Sequence, residues 1–273
     1  MMEKFIQLLD GKDLDLQAVK NMWNKRALEF SKIEIRKGDP TFDIIEKNMV
    51  LNGKSVIDIG FGAGRYLPEF AKRNMQIYGV EISENMIEYA CKTLDEMNAV
   101  YDKGNLVNSS WEDIDVKAMN WEKKFDLVFL SMSPAISSFV QLQKVLQIAK
   151  KGIFLSAHMI REDSLLAELQ TELGISLKAD YIGKLHIIFN ILFEMGYFPD
   201  LEFFEQKKQS EMKLDEVFER YLSWIYGTDC KKEQKDLLYK TLKNKEKNGK
   251  LVTTEREING YMFVDLEKTC MIK

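Results

Sequence analysis

The chain has 273 residues, of which 45% are hydrophobic and 30% are charged. This composition is ordinary for a globular protein, and it excludes a disordered tail, a collagen-like fibre and a disulfide-stapled miniature. The formal net charge of −4 at pH 7 offers no general attraction to phosphate backbones, so it disfavours nucleic acid as a partner.

The cysteines and the apolar segments bear on the cellular location of the protein. Three widely spaced cysteines fit neither a disulfide framework nor a zinc knuckle, and no His/Cys cluster predicts a metal site. No stretch reaches the roughly 18 uninterrupted apolar residues of a membrane-spanning helix, and the first residues lack the pattern of a signal peptide. We therefore expect a cytoplasmic protein with no membrane partner.

Helical and strand patterns alternate along the first 160 residues. Apolar spacing predicts a helix from Leu14 to Phe30 and a second, shorter one from Pro40 to Met49. Short apolar runs then predict strands at Ser55–Ile59, Gln76–Val80, Asn105–Ser109, Phe125–Leu130 and Gly152–Ala157. Helical patterns between them predict helices at Leu67–Arg73, Glu84–Met97 and Phe139–Ala149.

The alternation is looser in the rest of the chain. An apolar run from His186 to Met195 predicts a buried helix, and an apolar stripe predicts another from Leu214 to Ile225. Asn259-Gly260 lies between two strand-like runs and predicts a hairpin turn. Alternating strands and helices require right-handed crossovers. The predicted fold is therefore α/β: a doubly wound, mostly parallel sheet with helices on both faces and a late antiparallel hairpin.

The most informative segment follows the first predicted strand. Asp58 lies in that strand, and Gly60, Gly62 and Gly64 alternate directly after it. Glycines there permit a tight turn and let a ligand lie against the backbone, and a following helix start would present amide groups to the ligand. Glu81 ends the next strand, 23 residues after Asp58. An acid at that interval can accept hydrogen bonds from both hydroxyls of a ribose.

This pattern resembles the first motif of the class I S-adenosylmethionine-dependent methyltransferases, Asp-x-Gly-x-Gly-x-Gly. The resemblance covers roughly residues 23–157 and implies a Rossmann-like sheet of seven strands, with S-adenosylmethionine as cofactor and S-adenosylhomocysteine as product. It implies a single methyltransferase domain over 1–273. Within that domain we expect an N-terminal helical cap over 1–50, a cofactor-binding half over 51–160 and a substrate-side half with added helices over 161–273.

Two other interpretations of the glycine segment remain. A dinucleotide site needs Gly-x-Gly-x-x-Gly, but Arg65 stands where a motif beginning at Gly60 requires its third glycine. A motif beginning at Gly62 would need that glycine at Leu67, so NAD is the minor interpretation. The other alternative is a tight strand-to-helix turn that binds no ligand.

The resemblance implies roles for individual residues. Asp58 would orient the loop or reach the amino end of the methionine moiety, the glycines would pass beneath the cofactor, and Glu81 would bind the ribose. Further candidate cofactor contacts are Phe61, Ile82, Met86, Ser110, Trp111, Glu112 and Ser131. The family usually has an acid at the position of Ser110, so the adenine contact would move to Trp111 or Glu112. Trp111 and Met86 could instead be core residues, and Glu112 a solvated charge or part of a helix start.

The methyl acceptor is expected beside the predicted strand Phe125–Leu130. Enzymes of this class that methylate amino groups of adenine or glutamine resemble one another in an Asn/Asp-Pro-Pro-Tyr segment there. This chain has Ser131-Met132-Ser133-Pro134 instead, which favours a small-molecule acceptor and makes Ser133 a candidate catalytic residue. The alternative for both serines is loop capping by hydroxyls that bond to nearby backbone.

A base and a cover for the cofactor complete the expected site. His158 follows the predicted strand Gly152–Ala157, so it is the candidate catalytic base, because the pKa of histidine suits proton transfer near neutral pH. Arg161 would anchor an anionic substrate or form a surface ion pair. Trp23 and Arg26 would cover the cofactor, as in many small-molecule methyltransferases, or belong to an amphipathic helix packed on the sheet.

These observations together predict the reaction. Methyl transfer from a sulfonium is an in-line displacement, and holding the acceptor in line supplies much of the acceleration. We expect transfer to a small molecule. The alternatives are an RNA or protein methyltransferase and a non-catalytic S-adenosylmethionine-binding protein. The lysine-rich segment Lys231–Lys250 could touch RNA, but a solvated helix explains it better.

Overall fold

The computed structural model describes residues 1–11, 15–175, 184–226 and 230–270. The strands run β1 Ser55–Ile59, β2 Gln76–Glu81, β3 Leu106–Asn108, β4 Phe125–Ser131, β5 Ala149–Asp163, β6 Asp200–Met212 and β7 Leu251–Asp265. The helices run α1 Met2–Leu9, α2 Leu16–Phe30, α3 Thr41–Asn48, α4 Leu67–Lys72, α5 Glu84–Glu96, α6 Phe139–Ile148, α7 Ser164–Leu173, α8 Leu185–Glu194, α9 Leu214–Tyr226 and α10 Lys232–Lys245.

Within the described residues, the seven strands form one sheet in the order β3-β2-β1-β4-β5-β7-β6. β1 pairs in parallel with β2 on one side and with β4 on the other, and β4 pairs in parallel with β5. The strand order therefore reverses between β1 and β4, which is where α/β sheets of this kind open a crevice for ligands at their carboxyl edge. The predicted fold class, including a late antiparallel hairpin, is confirmed.

The central strands form because both of their faces are covered. In β1, Val56, Ile57 and Ile59 are fully buried, as continuous apolar strands of parallel sheets are. Aromatic rings fill the space beside β4, where Phe129 stacks on Phe154 of β5 at a centroid distance of 5.0 Å. This core fixes the carboxyl ends of β1 and β4, from which the candidate site is built.

The described residues divide into two compact units. Unit 1 comprises those of 1–157, 184–202 and 260–273, and unit 2 comprises those of 158–183 and 203–259. Unit 2 has a hydrophobic core of its own, formed by α7, α9, α10 and the start of β7. The expectation of one domain over 1–273, with divisions after residues 50 and 160, stays a prediction.

The predicted place of the hairpin turn is wrong. Asn259 and Gly260 lie inside β7, which is continuous, and neither has a positive φ. The tight turn is at another Asn-Gly pair, where Asn248 has a φ of 52° and Gly249 a φ of 78°. An antiparallel bridge between the residues on either side closes it. A turn at Asn259-Gly260 is therefore absent, and the Asn-Gly pair that forms a tight turn lies eleven positions earlier in the chain.

Other elements also differ from expectation. β5 does not end at Ala157 but continues to Asp163, because its neighbour β7 is equally long and extends the ladder of hydrogen bonds. His158 consequently lies inside a strand and not after its end. α1 and β6 were not predicted. The predicted start of the first long helix, Leu14, lies outside the described residues, and α2 begins at Leu16.

Candidate functional site

The glycine loop joins β1 to α4 with a backbone that only glycines adopt easily. Gly60, Gly62 and Gly64 have φ angles of 74°, 56° and 82°. A Cβ on Gly64 would lie 2.7 Å from the Cβ of Ala90 on α5, so the loop packs tightly on that helix. A Cβ on Gly62 would meet nothing within 4 Å. Helix α5 therefore supports the loop at Gly64, and the loop is open at Gly62, where a ligand could lie against the backbone.

Glu81 ties the glycine loop to the end of β2. Its Oε2 accepts a hydrogen bond of 2.9 Å from the backbone N–H of Gly62, and its Oε1 accepts one of 2.9 Å from the N–H of Ser83. Burial raises the pKa of the Glu81 carboxyl, while these backbone donors act in the opposite direction. A carboxylate offers about four lone-pair sites, and three backbone donors, of Gly62, Ile82 and Ser83, act on this one, so a site remains for a ligand.

Asp58 is the other buried acid of the loop. Its side chain is 3% exposed. Burial raises the pKa of Asp58 well above its ordinary value; the positive charge of Arg65 opposes that rise, and the negative charge of Glu81 adds to it. An acid in this state is poised to gain a cationic or hydrogen-bonding partner.

The side chains next to these acids face the protein interior. Phe61 is buried and its ring lies against Gly79 of β2, where any Cβ would collide with it. Ile82 is half-buried, and its carbonyl accepts a hydrogen bond from the Asn108 side chain, as the carbonyl of Glu81 also does. Met86 is fully buried on α5. Asn108, which sequence reasoning missed, thus joins the end of β3 to the end of β2.

The segment after β3 is held by short-range hydrogen bonds and by α6. The Ser110 hydroxyl lies 2.7 Å from an Asp113 carboxylate oxygen and accepts from the Asp113 N–H at 3.1 Å. Trp111 is buried, and its indole N–H donates to the carbonyl of Gln141. A Glu112 carboxylate oxygen accepts from the Ser137 hydroxyl at 3.1 Å. An acid, Asp113, therefore lies beside Ser110, three residues later in the chain.

The loop after β4 touches the glycine loop. A Cβ on Gly60 would collide with the Ser133 hydroxyl, so the two loops are in direct contact. The Ser133 hydroxyl also accepts from the N–H of Ala135 at 3.3 Å, which is the loop-capping arrangement. Ser131 lies at the end of β4, with its hydroxyl 3.0 Å from that of Ser156. Both serines thus lie where the sequence placed the acceptor side.

Tyr66 is a residue of this edge that sequence reasoning did not single out. It is buried directly after the glycine loop, and its hydroxyl donates to a carboxylate oxygen of Asp39 at 3.3 Å. Burial raises the pKa of Tyr66, which keeps the phenol protonated. The only sequence signal was its position two residues after Gly64.

Helix α2 lies against the start of α5. Arg26 stacks over the rings of Trp23 and Phe30, at 5.5 and 4.7 Å from the ring centroids, and pairs with Glu29 at 3.3 Å. These contacts are within α2. The connection to the site is made by Asn24, another residue that the sequence did not indicate. Its side-chain oxygen Oδ1 accepts a 2.6 Å hydrogen bond from the Ser83 hydroxyl.

The candidate base belongs to unit 2. His158 Nδ1 lies 2.7 Å from Oδ1 of Asn259 on β7. Arg161 pairs with Glu257 at 3.4 Å and stacks on Trp224 with its guanidinium carbon 4.9 Å from the ring centroid. That finding favours the ion pair over an anchor for an anionic substrate. Among the residues that the structure describes, no group of His, Cys, Asp and Glu could hold a metal.

None of the helices in the described ranges is long and apolar enough to cross a membrane. Cys91, Cys230 and Cys270 are free thiols.

Several solved structures share this fold. A methyltransferase candidate from Bacillus halodurans is 14% identical with a TM-score of 0.51, and the alignment covers 84% of this chain and 99% of that one. The [4+2]-cyclase SpnF is 12% identical with a TM-score of 0.51, over 94% and 98% of the two chains. Likeness at these identities shows the fold alone.

A more distant structural neighbour is phosphoethanolamine N-methyltransferase 2 of Haemonchus contortus, which is 17% identical with a TM-score of 0.47. The alignment covers 88% of this chain but only 56% of that enzyme. No curated protein sequence matches this chain.

The family comparison is decisive. A family described as a methyltransferase domain matches residues 50–245, which is more than half of the chain and includes the glycine loop, Glu81 and the loop after β4. The resemblance that the glycine motif indicated is thereby confirmed. The chain belongs to the class I S-adenosylmethionine-dependent methyltransferases.

Proposed function

We propose that this protein transfers the methyl group of S-adenosylmethionine to a small-molecule acceptor. The observation that carries the proposal is the glycine loop at the reversal of strand order, open at Gly62 and bonded to the carboxylate of Glu81. S-Adenosylmethionine supplies an activated methyl group on its sulfonium. The residues present fit this group, because they offer open backbone, a buried acid for a ribose and a second buried acid nearby.

The cofactor is proposed to be held by unit 1 residues. Glu81 accepts hydrogen bonds from the ribose hydroxyls, and Asp58 faces the positive amino group of the methionine moiety. The other proposed contacts are Gly60, Phe61, Gly62, Gly64, Ile82, Met86, Ser110, Trp111, Glu112 and Ser131, with Trp23 and Arg26 as the cover. Phe61, Met86 and Trp111 are buried, which supports a role in shaping the cofactor site by packing more than a role in polar contact with the cofactor.

The acceptor is proposed to be small because of the loop after β4. It lacks the Asn/Asp-Pro-Pro-Tyr segment that cradles a planar amide or amine. The Ser133 hydroxyl bonds within the loop itself, and the Ser131 hydroxyl bonds to Ser156 of β5. Ser133 is proposed to orient the acceptor. His158 is proposed to take the acceptor's proton when the acceptor arrives protonated. Holding the nucleophile in line with the methyl group supplies most of the acceleration.

The lysine-rich segment supports a small acceptor over RNA. Lys243 pairs with Glu246, Lys245 pairs with Glu168 and Glu172, and Lys250 pairs with Glu211. Lysines that are neutralised within unit 2 add little to a phosphate-binding surface. We also propose a cytoplasmic location, which the three free thiols support.

The first experiment is calorimetric titration with S-adenosylmethionine, S-adenosylhomocysteine and NAD in parallel. We expect micromolar-range binding of the two adenosyl compounds and no heat with NAD. Heat with NAD alone would contradict the proposal and favour a dehydrogenase. Tight cofactor binding without turnover in a broad screen of small amines, phenols, carboxylic acids and thiols would favour a non-catalytic binding protein.

A substitution at Glu81 tests the placement of the ribose. Glu81→Ala removes the proposed partner of the hydroxyls and the support of Gly62, so we expect S-adenosylhomocysteine binding to weaken by about 1–3 kcal/mol. Glu84→Ala is the matched control, because Glu84 lies three residues later, is exposed and pairs only with groups of α2. Equal affinities for a folded Glu81→Ala protein and the wild type would show that the ribose lies elsewhere.

A further inference from the structure

A partly buried histidine and a buried asparagine join two strands of unit 2. His158 lies on β5 and Asn259 on β7, which are neighbours in the sheet, and His158 Nδ1 is 2.7 Å from Asn259 Oδ1. Asn259 is 4% exposed. The sequence predicted a turn at this asparagine, and the structure instead places it in the interior of a long strand.

Asparagine is an unusual choice for that position. It is among the residues depleted from strands, and a buried amide needs hydrogen-bond partners that an apolar side chain would not. The next four residues of β7, Gly260 to Phe263, are also buried. An apolar residue at position 259 would therefore pack better in this strand. The asparagine is explained if its side chain has a specific role, and its amide oxygen is bonded to the imidazole of His158.

The bond determines which imidazole nitrogen carries the proton. A neutral histidine has one N–H and one nitrogen with a lone pair, whereas an amide oxygen can only accept. With Oδ1 as the acceptor, Nδ1 must be the protonated nitrogen. Nε2 is then the nitrogen that carries the lone pair in the neutral ring.

We propose that Asn259 is a positioning residue that holds neutral His158 in the Nδ1–H tautomer. The inference rests on the proposed function, in which His158 takes the acceptor's proton. In that step the acceptor's N–H or O–H bond breaks, its electron pair forms the bond to the methyl carbon, and the proton goes to Nε2. The sulfur of the cofactor keeps the electron pair of the broken carbon–sulfur bond.

Nuclear magnetic resonance of the wild-type protein tests this directly, because the chain has only two histidines. In a two-bond ¹H–¹⁵N correlation of uniformly ¹⁵N-labelled protein, a His186→Gln variant identifies the His158 signals. At a pH where the ring is neutral, we expect Nδ1 to show the shift of a protonated nitrogen and Nε2 that of an unprotonated one. The reverse pattern would overturn the inference.

Variants at position 259 show whether the asparagine is the cause. Asn259→Leu removes the acceptor, and we expect the Nε2–H tautomer to become the major form. Asn259→Asp keeps an accepting oxygen, so it should retain the Nδ1–H form. Thr253→Val is the control, since Thr253 is equally buried in β7 but bonds to Asp163. An unchanged tautomer in a folded Asn259→Leu protein would overturn the inference.

The two hypotheses, that His158 is the base and that Asn259 sets its tautomer, can be refuted by separate experiments. A His158→Ala protein that still methylates the acceptor at the wild-type rate contradicts the base, and leaves the tautomer measurement standing. A wild-type spectrum with Nε2 protonated contradicts the positioning role, even if His158→Ala is inactive. The wild-type spectrum needs no substitution at position 259, so the test does not depend on any variant that fails to fold.

Discussion

Asp58 of β1 holds a carboxyl group almost entirely out of contact with water, at 3% exposure, directly before the loop that is proposed to hold the cofactor. Burial raises its pKa in the folded protein. Between the ordinary pKa of aspartate and this raised value, the folded state binds more protons than the unfolded chain. The free energy of unfolding therefore falls as the pH rises through that interval. The site keeps an acid that costs stability near neutral pH.

This cost predicts the effect of Asp58→Asn on stability. The neutral amide removes the unfavourable buried charge, so we expect a variant that is more stable than the wild type at pH 8, by on the order of 1 kcal/mol or more. The difference should shrink as the pH falls toward 4, where the unfolded carboxyl also becomes protonated. Denaturant unfolding at a series of pH values measures it. Cofactor binding by the variant should weaken.

An exposed acid of the same unit serves as the control for that prediction. Asp43→Asn removes a carboxyl from the exposed side of α3, so it should leave the pH dependence of stability as in the wild type. Glu81, whose pKa is also raised by burial, contributes the same direction of change to both variants and to the wild type. Asp58→Asn that is equally or less stable at pH 8, with an unchanged slope, would show that Asp58 is not buried as a charge.

At the scale of elements, the hydrogen bond between Ser83 and Asn24 connects α2 to the candidate site. Ser83 is fully buried, caps α5 by accepting from the N–H of Met86, and donates to Asn24 of α2. Its own N–H donates to Glu81. Asn24→Ala removes the acceptor of a buried hydroxyl, so we expect a loss of about 1–2 kcal/mol in the free energy of unfolding, and a several-fold weaker affinity for S-adenosylhomocysteine.

Asn21 provides a matched control for this prediction. It is exposed on the same helix and bonds only to Gln17, one turn before it, so Asn21→Ala should change stability by less than about 0.5 kcal/mol and leave affinity unchanged. Thermal unfolding and calorimetric titration of both variants decide the matter. If Asn24→Ala and Asn21→Ala behave alike, α2 does not support the site through Ser83.

Elements were predictable from the sequence where their signals are local. β1 and β4 are apolar runs buried on both faces, and the glycine loop with Glu81 indicated the family from local sequence alone. β6 could not be recognised, because it is the edge strand and its sequence is largely polar. The extent of β5 depends on its partner β7, and the contacts of Asn24 depend on α5. Such non-local pairings leave no pattern in the segment that makes them.

The same limit applied to the two Asn-Gly pairs at the end of the chain. Local chemistry permits a tight turn at either one, and the choice between them depends on which strand must continue. In the folded chain Asn259 is held by His158, so β7 passes straight through it, while Asn248 and Gly249 take the positive φ angles. Long-range contacts thus determine which Asn-Gly pair forms the turn, which the dipeptide sequence alone does not determine.

At the scale of the whole molecule, the two units allow the location of cofactor binding to be tested without an acceptor. All proposed cofactor contacts belong to unit 1, and Glu81 among them accepts hydrogen bonds from the backbone amides of Gly62 and Ser83. At 100 times its dissociation constant, a ligand that binds only the folded state stabilises it by about 2.7 kcal/mol. Local opening in unit 1 should therefore be suppressed.

Hydrogen exchange with and without S-adenosylhomocysteine measures this suppression peptide by peptide. We expect slower exchange over residues 58–66 and 79–86, where the glycine loop and the end of β2 lie, and in the loop after β4. Peptides from α9 and α10, whose core lies within unit 2, should exchange as before. Glu81→Ala, which retains the fold but loses the proposed ribose partner, should show little protection at the same ligand concentration. Protection confined to α9 and α10 would place the cofactor outside the glycine loop and refute the site.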